Sequence, residues 1–346
     1  MRLCAASGTY PQILALTGVL CSFKDRPIKS GGFADIHLGN INDKLVCLKV
    51  PKLDQNQEPE RYAKDFARET MVWSRLTHPN LLPFYGIYRS GDHLCLVSPW
   101  KEDGNISDYL KTNPEVARLP LVFDILAGLG YLHEQSIVHG DLKAANILIS
   151  SDGSPCLADF GLSSVMDPQI LRWSTLHTMT QAGGTIRWEA PELMDEPADG
   201  KGPKPAFSCD VYSLASVMYE ILTGEIPFYE LSREATVILR VIKGITPTKP
   251  TSNPDSLELT DEIWRIMERC WKLVPNERPS VDQVTQDLRQ LPPTELTMQR
   301  IAQNDGKRQD SNPPPTSQAF RAAMWDHQRL EFSTEEVNLL RKYNVS

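Results

Sequence analysis

His139-Gly140-Asp141-Leu142-Lys143-Ala144-Ala145-Asn146 is the stretch around which the chain is organised. The apolar pair Ile137-Val138 precedes it, and the apolar run Ile147-Leu148-Ile149 follows. A turn at Ser151-Asp152-Gly153 comes next, then a short apolar segment ending in Asp159-Phe160-Gly161. This order predicts loop, strand, turn, strand, loop. A hairpin sets its two open ends side by side, so Asp141 and Asn146 are expected beside Asp159.

Two carboxylates and an amide in one pocket are costly unless a cation sits among them. Asn146 and Asp159 offer hard oxygen ligands, which suit Mg²⁺ that keeps its other sites for water and phosphate oxygens. Asp141 is then left to accept a hydrogen bond from an incoming hydroxyl, and Lys143 brings positive charge to a phosphoryl group in transit. These residues resemble the catalytic loop and metal-binding triplet of protein kinases, H-R-D-x-x-x-x-N followed by D-F-G. One letter departs: Gly140 stands where the family usually has Arg, a residue that commonly holds a phosphate on the activation segment.

Upstream, Ile28-Lys29-Ser30-Gly31-Gly32-Phe33-Ala34-Asp35-Ile36 resembles the glycine-rich loop of the same family, with Lys29 and Ala34 in place of the first and third glycines. Glycine lets backbone N–H groups approach phosphates closely, so the two replacements should reshape that cover. Leu45 to Val50 alternates as a strand does, with Val46, Leu48 and Val50 on one face and Leu45, Cys47 and Lys49 on the other. It resembles the family's V-A-I-K strand. That resemblance gives Lys49 the α- and β-phosphates of ATP and places Cys47 in the adenine pocket. Glu60 to Leu76 reads as a helix, and Glu69 falls on its apolar stripe with Phe66 and Trp73. A carboxylate aimed at a core needs a partner. Lys49 is the expected one, as in active kinases, with Arg68 as competitor. Ser98-Pro99-Trp100-Lys101 matches the hinge, where the Pro99 carbonyl and the Lys101 N–H would read adenine and small Ser98 would guard the back of the pocket. Leu148 completes the residues assigned to ATP.

Downstream, Gly184-Thr185-Ile186-Arg187-Trp188-Glu189-Ala190-Pro191-Glu192 resembles the close of the activation segment. A lysine two after the catalytic Asp and a threonine in the Gly-Thr pair are what serine/threonine kinases carry, with tyrosine or dual specificity as the alternative, so Lys143 and Thr185 are expected to touch each other and Asp141. The segment before them holds Ser163, Ser164, Ser174, Thr175, Thr178 and Thr180 as candidate phosphorylation sites. A phosphate orders a loop only where cations meet it. With Gly140 in place of Arg, switching on is expected not to depend on such a phosphate. Asp210 is expected to receive N–H groups from the catalytic loop, and Arg278 to pair with Glu192.

The resemblance implies an α+β, two-lobed protein-kinase-like fold: a small β-rich lobe with one main helix and a larger, mostly α-helical lobe. Residues 1–22 form a lead-in, 23–292 the kinase domain and 293–346 a C-terminal extension. That extension is largely a polar, Pro-rich linker with a short helix expected at 334–343 and is a candidate partner-binding segment. The motifs look like the tyrosine-kinase-like group of serine/threonine kinases. ATP and Mg²⁺ are the implied cofactors and protein hydroxyls the implied substrates. The alternative is a nucleotide-binding scaffold without turnover, which Lys29, Ala34 and Gly140 favour.

Composition fits. The 346 residues carry a net charge of −8 and no dense basic cluster, which argues against nucleic acid as a partner. The seven cysteines are odd in number and form no C-x-x-C pair, as in reduced, intracellular thiols. The uncharged run from Leu3 to Phe23 has an N-terminal targeting segment as its alternative, but its purely apolar core, Ile13 to Leu16, is too short for a span.

Overall fold

The computed structural model describes residues 14–21, 26–31, 34–52, 66–67, 69–90, 93–160, 185–194, 205–250 and 258–292. They divide into two compact units. One holds the residues up to Thr77 together with Pro83–Trp100; the other holds His78–Leu82 and the residues from Lys101 onward. Arg68, Gly32, Phe33, the candidate phosphorylation sites and the expected helix at 334–343 lie outside the described residues.

The first unit is built on one antiparallel sheet: β1 (Lys29–Ser30), β2 (Ala34–Ile41), β3 (Lys44–Pro51), β4 (Gly86–Ser90) and β5 (His93–Pro99), in the order β1-β2-β3-β5-β4. The alternation read in β3 is kept at its centre. Val46 and Leu48 are fully buried while Cys47 and Lys49 lie on the other face, although Val50 is only half-buried. Val46 and Leu48 share a core with Ile41, Tyr85, Cys95 and Val97. Leu16 and Val19, from the segment ahead of the sheet, belong to the same core. That segment is fastened to strand edges by Leu16 N–H to the Ile87 carbonyl (2.7 Å) and by the reciprocal Leu20–Asn40 pair (both 2.9 Å). Burying two such side chains contributes about 1.5–3 kcal/mol each. The crossing is close: a Cβ at Gly86 would stand 2.6 Å from the Leu14 carbonyl oxygen, so only glycine fits beneath that strand.

Helix α1 is present at 66–67 and 69–73, and it stops before Leu76, short of the expected end. Arg75 and Leu76 donate to carbonyls only three residues back, a tightened last turn. His78-Pro79 follows, and the residue before a proline is steered out of helical geometry.

The second unit is helical apart from the hairpin β6 (Ile147–Ile149) and β7 (Pro155–Leu157). Its helices are α2 (Ile106–Thr112), α3 (Arg118–Glu134), α4 (Phe207–Thr223), α5 (Glu234–Ile242), α6 (Asp261–Cys270) and α7 (Val281–Gln290). Helix α4 is buried nearly all round, as a helix apolar on every face must be, and Gly224 closes it in a left-handed conformation (φ 76°). It starts at Phe207, three residues before Asp210. Helix α3 is preceded at the cap position by Ala117, whose methyl group accepts no hydrogen bond. Buried Glu258 does so from afar, accepting the N–H groups of Arg118 (2.9 Å) and Leu119 (3.3 Å).

The hairpin is positioned from below. Asn80 donates its side-chain amide to the Pro155 carbonyl (3.1 Å) and accepts the Leu157 N–H on its own carbonyl (2.9 Å). Gly128 of α3 allows this approach, since a Cβ there would meet the Asn80 carbonyl oxygen at 2.7 Å. In this way α3 sets the height of the strands that carry Asn146 and Asp159 at their ends.

Candidate active site

In the second unit the catalytic loop hangs from one buried carboxylate. Asp210, at the start of α4, accepts the backbone N–H groups of His139 (2.8 Å) and Gly140 (2.9 Å), as the sequence predicted. A third contact, with His133 Nε2 at 2.8 Å, was not anticipated. Its only signal in the sequence was a histidine at the end of α3, one short turn before the loop. Gly140 has φ 77°, the left-handed region that glycine enters without a Cβ penalty. His139 is fully buried, and its Nδ1 faces the Asp141 N–H at 3.4 Å. Burial pushes its pKa down, more than the carboxylates of Asp210, Asp141 and Asp159 push it up, so the imidazole is neutral. The Phe160 ring packs edge-on against it, centroids 6.0 Å apart.

Asn146 closes the loop. Both hydrogens of its amide go to Asp141, at the backbone oxygen and at Oδ2, each 2.8 Å away. Only the NH₂ can face two acceptors, so the amide oxygen is turned the other way. The Asn146 carbonyl accepts the Ala158 N–H (2.8 Å), which brings the open end of the hairpin together as expected. Asp159 follows, exposed, at φ 58°. One amide oxygen and one carboxylate form a donor set that fits Mg²⁺ arriving with phosphate better than a metal caged by protein alone.

Lys143 ties the loop to the stretch beyond the activation segment. Its ammonium lies 2.9 Å from Asp141 Oδ2 and donates to Thr185 Oγ1 at 2.8 Å. Asp141 Oδ2 is therefore already engaged by Lys143 and Asn146. The expectation of a carboxylate left wholly to an incoming hydroxyl narrows to its other oxygen. Around Thr185 the chain is pinned side chain by side chain. Arg187 donates to the carbonyls of Pro227 (2.9 Å), Phe228 (2.6 Å) and Leu231 (2.6 Å), and Trp188 Nε1 donates to Glu220 (3.2 Å). Glu192 and Arg278 form a two-pronged pair at 2.6 and 2.7 Å, over the Tyr212 ring. Burial alone would raise the Glu192 carboxyl, but the guanidinium more than reverses that and holds it below its ordinary value. Glu189 has no such hydrogen-bonded partner among the described residues: burial first, then the charge of Asp141, push its pKa to about 7 against the pull of Lys143.

In the first unit, Lys49 pairs with Glu69 at 3.1 Å, and both side chains are mostly buried (18% and 20% exposed). Lys49 stands between Ile36 of β2 and Leu96 of β5, and Cys47 opposite Ser98, which is buried. Pro99 pairs with Val46 at the end of β5, and the Trp100 N–H is spent on the Leu45 carbonyl (3.2 Å). Ile28, Lys29, Ser30 and Gly31 are exposed, Ala34 is buried, and Asp35 and Ile36 are half-buried on β2. In the second unit Lys101 is buried with its ammonium on Ser150 Oγ (2.7 Å), and Leu148 is half-buried in β6.

A strand lysine paired with a helix glutamate in the first unit, and in the second Asp141, Lys143 and Asn146 on a loop slung from α4 with Thr185 brought to Lys143 from 42 residues downstream, are residues that the resemblance singled out. The protein kinase domain model matches residues 24–288, and the chain belongs to the eukaryotic protein kinase family. It is 32% identical over 272 residues to serine/threonine-protein kinase STY46 of Arabidopsis thaliana, covering 76% of this chain and 43% of that protein. It is 29% identical over 276 residues to serine/threonine-protein kinase STY17 of the same plant (77% and 44%). It is 30% identical over 272 residues to a probable serine/threonine-protein kinase of Dictyostelium discoideum (75% and 19%). The chain spans less than half the length of these curated relatives.

Proposed function

We propose that this chain transfers the γ-phosphoryl group of ATP to serine or threonine hydroxyls of protein substrates, as a signalling enzyme of the tyrosine-kinase-like group. The observation that carries the reading is Lys143 bridging Asp141 and Thr185. Asp141 orients the hydroxyl and accepts its proton, Lys143 steadies the transferred group, and Lys49, held by Glu69, positions the phosphates. Asn146 and Asp159 would hold Mg²⁺, which when bound offsets charge on the phosphate oxygens. Catalysis of this kind rests on positioning and electrostatics. The names of the relatives support the serine/threonine class. The scattered cysteines support an intracellular setting.

A second reading, a nucleotide-binding scaffold without turnover, is favoured by Lys29 and Ala34 in the glycine-rich loop. Purified protein with Mg-ATP and a generic protein substrate, beside Asp141→Asn, separates the two. Phosphate incorporation that Asp141→Asn abolishes supports the enzyme. A thermal shift with nucleotide but no incorporation supports the scaffold.

A further inference from the structure

Lys101 opens the main run of the second unit, and it is buried. Lysine is seldom buried, because its ammonium leaves water only where other groups replace that hydration. Here the ammonium donates to the buried Ser150 Oγ (2.7 Å), and no described carboxylate pairs with it. Ser150 Oγ lies 3.1 Å from the buried Cys156 Sγ, and the Cys156 thiol donates to the Pro79 carbonyl at 3.5 Å. With the ammonium giving to Ser150 and the thiol giving to Pro79, the serine hydrogen goes to sulfur. Each donor along the relay then has its own acceptor, and such bonds strengthen one another.

The relay moors a short loop. From Lys101 the chain turns, with the Gly104 N–H on the Lys101 carbonyl (3.2 Å), and then runs beside β6. There the Gly104 carbonyl accepts the Ile149 N–H (2.9 Å), and Asn105 stands opposite Leu148. The far end of the loop is thus held by backbone and the near end by the Lys101 side chain. The Lys101 N–H donates to no described residue, so the residue whose side chain is tied down also carries an open backbone donor.

We propose that Lys101 is a positioning residue for the nucleotide base: its buried ammonium, moored on Ser150, fixes the start of the 101–105 loop and with it the direction of the Lys101 N–H toward adenine. A donor held in place before the ligand arrives loses less freedom on binding. The inference rests on the proposed function only in taking that N–H as a donor to adenine.

The test is calorimetric titration of the full 346-residue chain with adenosine and with 1-deazaadenosine, in which the ring acceptor beside the amino group is replaced by C–H. Wild type is expected to bind adenosine about tenfold more tightly than the deaza compound. Lys101→Met keeps the length of the side chain and removes its charge. It is expected to weaken adenosine about fivefold and to shrink the gap between the two ligands to about twofold. A general loosening of the fold would weaken both ligands alike and leave the gap. Ser150→Ala removes the mooring from the other side and is expected to narrow the gap as well, so the comparison survives if Lys101→Met does not fold. A gap that stays at its wild-type size in either folded variant overturns the proposal. So does the absence of a gap in wild type. Wild-type protein that shows the gap but transfers no phosphate from Mg-ATP defeats the proposed function alone and leaves this inference standing. Wild-type protein that binds neither adenosine nor Mg-ATP defeats both.

Discussion

The Lys143 ammonium donates to the Thr185 hydroxyl at 2.8 Å, across 42 residues of chain, while resting 2.9 Å from Asp141. One cation thereby sets the distance between the catalytic loop and the stretch that closes the activation segment. Thr185→Val removes the acceptor and leaves Lys143 held by Asp141 alone. The expected outcome is a fall in kcat of about ten- to a hundredfold with KM for ATP little changed, because the lost contact serves orientation of the reacting groups. Steady-state kinetics with both substrates varied checks this; an unchanged kcat sinks it.

Lys49 and Glu69 act as a unit in the other half of the machinery. Lys49→Met and Glu69→Gln are each expected to lower kcat/KM for ATP, and the double variant to be no worse than Lys49→Met alone, since Glu69 works through Lys49. Additive losses in the cycle would mean that the two side chains serve separate ends.

Arg278 is a support of the fold. Its side chain is fully buried and holds Glu192 on two prongs, with further bonds to the carbonyls of Lys272 (2.8 Å) and Ser208 (2.9 Å). Arg278→Leu leaves Glu192 without its counter-charge and is expected to cost roughly 3–5 kcal/mol. Urea denaturation followed by fluorescence reads it. The double variant with Glu192→Gln should recover part of the loss.

Glu189 predicts a pH dependence. Its folded pKa, about 7, lies above the ordinary 4.5, so the folded state binds the proton more tightly than the unfolded chain does. Stability from this group is full below pH 4.5 and is lost as pH rises through 7, to a limit of roughly 3 kcal/mol. Glu189→Gln should therefore melt above wild type at pH 8 and with it near pH 4. A constant difference across that range would show that the carboxyl does not titrate there.

Gly140 occupies a left-handed conformation at φ 77°. Gly140→Arg restores the family's usual residue but puts a Cβ in that region, at about 1–2 kcal/mol in a denaturation experiment. With no arginine at this position, phosphatase treatment of wild type is expected to leave activity in place. Activity abolished by phosphatase and restored by phosphorylating one activation-segment residue would refute this.

Most of the machinery was legible in the chain, because it is carried by short strings with fixed internal spacing. The hairpin between Ile147 and Leu157 followed from apolar runs around a Gly turn, and the strand around Lys49 from its alternation. The place of Glu69 on the apolar stripe with Phe66 and Trp73 called for a partner, and the resemblance to kinases named Lys49, which the structure sets 3.1 Å away. Other relations were hidden, because they join residues that no local pattern connects. His133 on Asp210, Glu258 capping α3, Leu16 and Val19 filling the sheet's core and Lys52 beside Asp35 all arise from packing over long sequence separations.

The sequence by itself determined the family and the order of the described secondary structure, and it named the candidate site residues, since local periodicity and motif spacing encode those directly. Only the tertiary structure decided which charges meet. It gave one oxygen of Asp141 to Lys143 and Asn146, buried Glu189 near both Asp141 and Lys143, and brought Lys52 to Asp35. Electrostatic energies depend on distance and burial, and a linear chain specifies neither until it has folded.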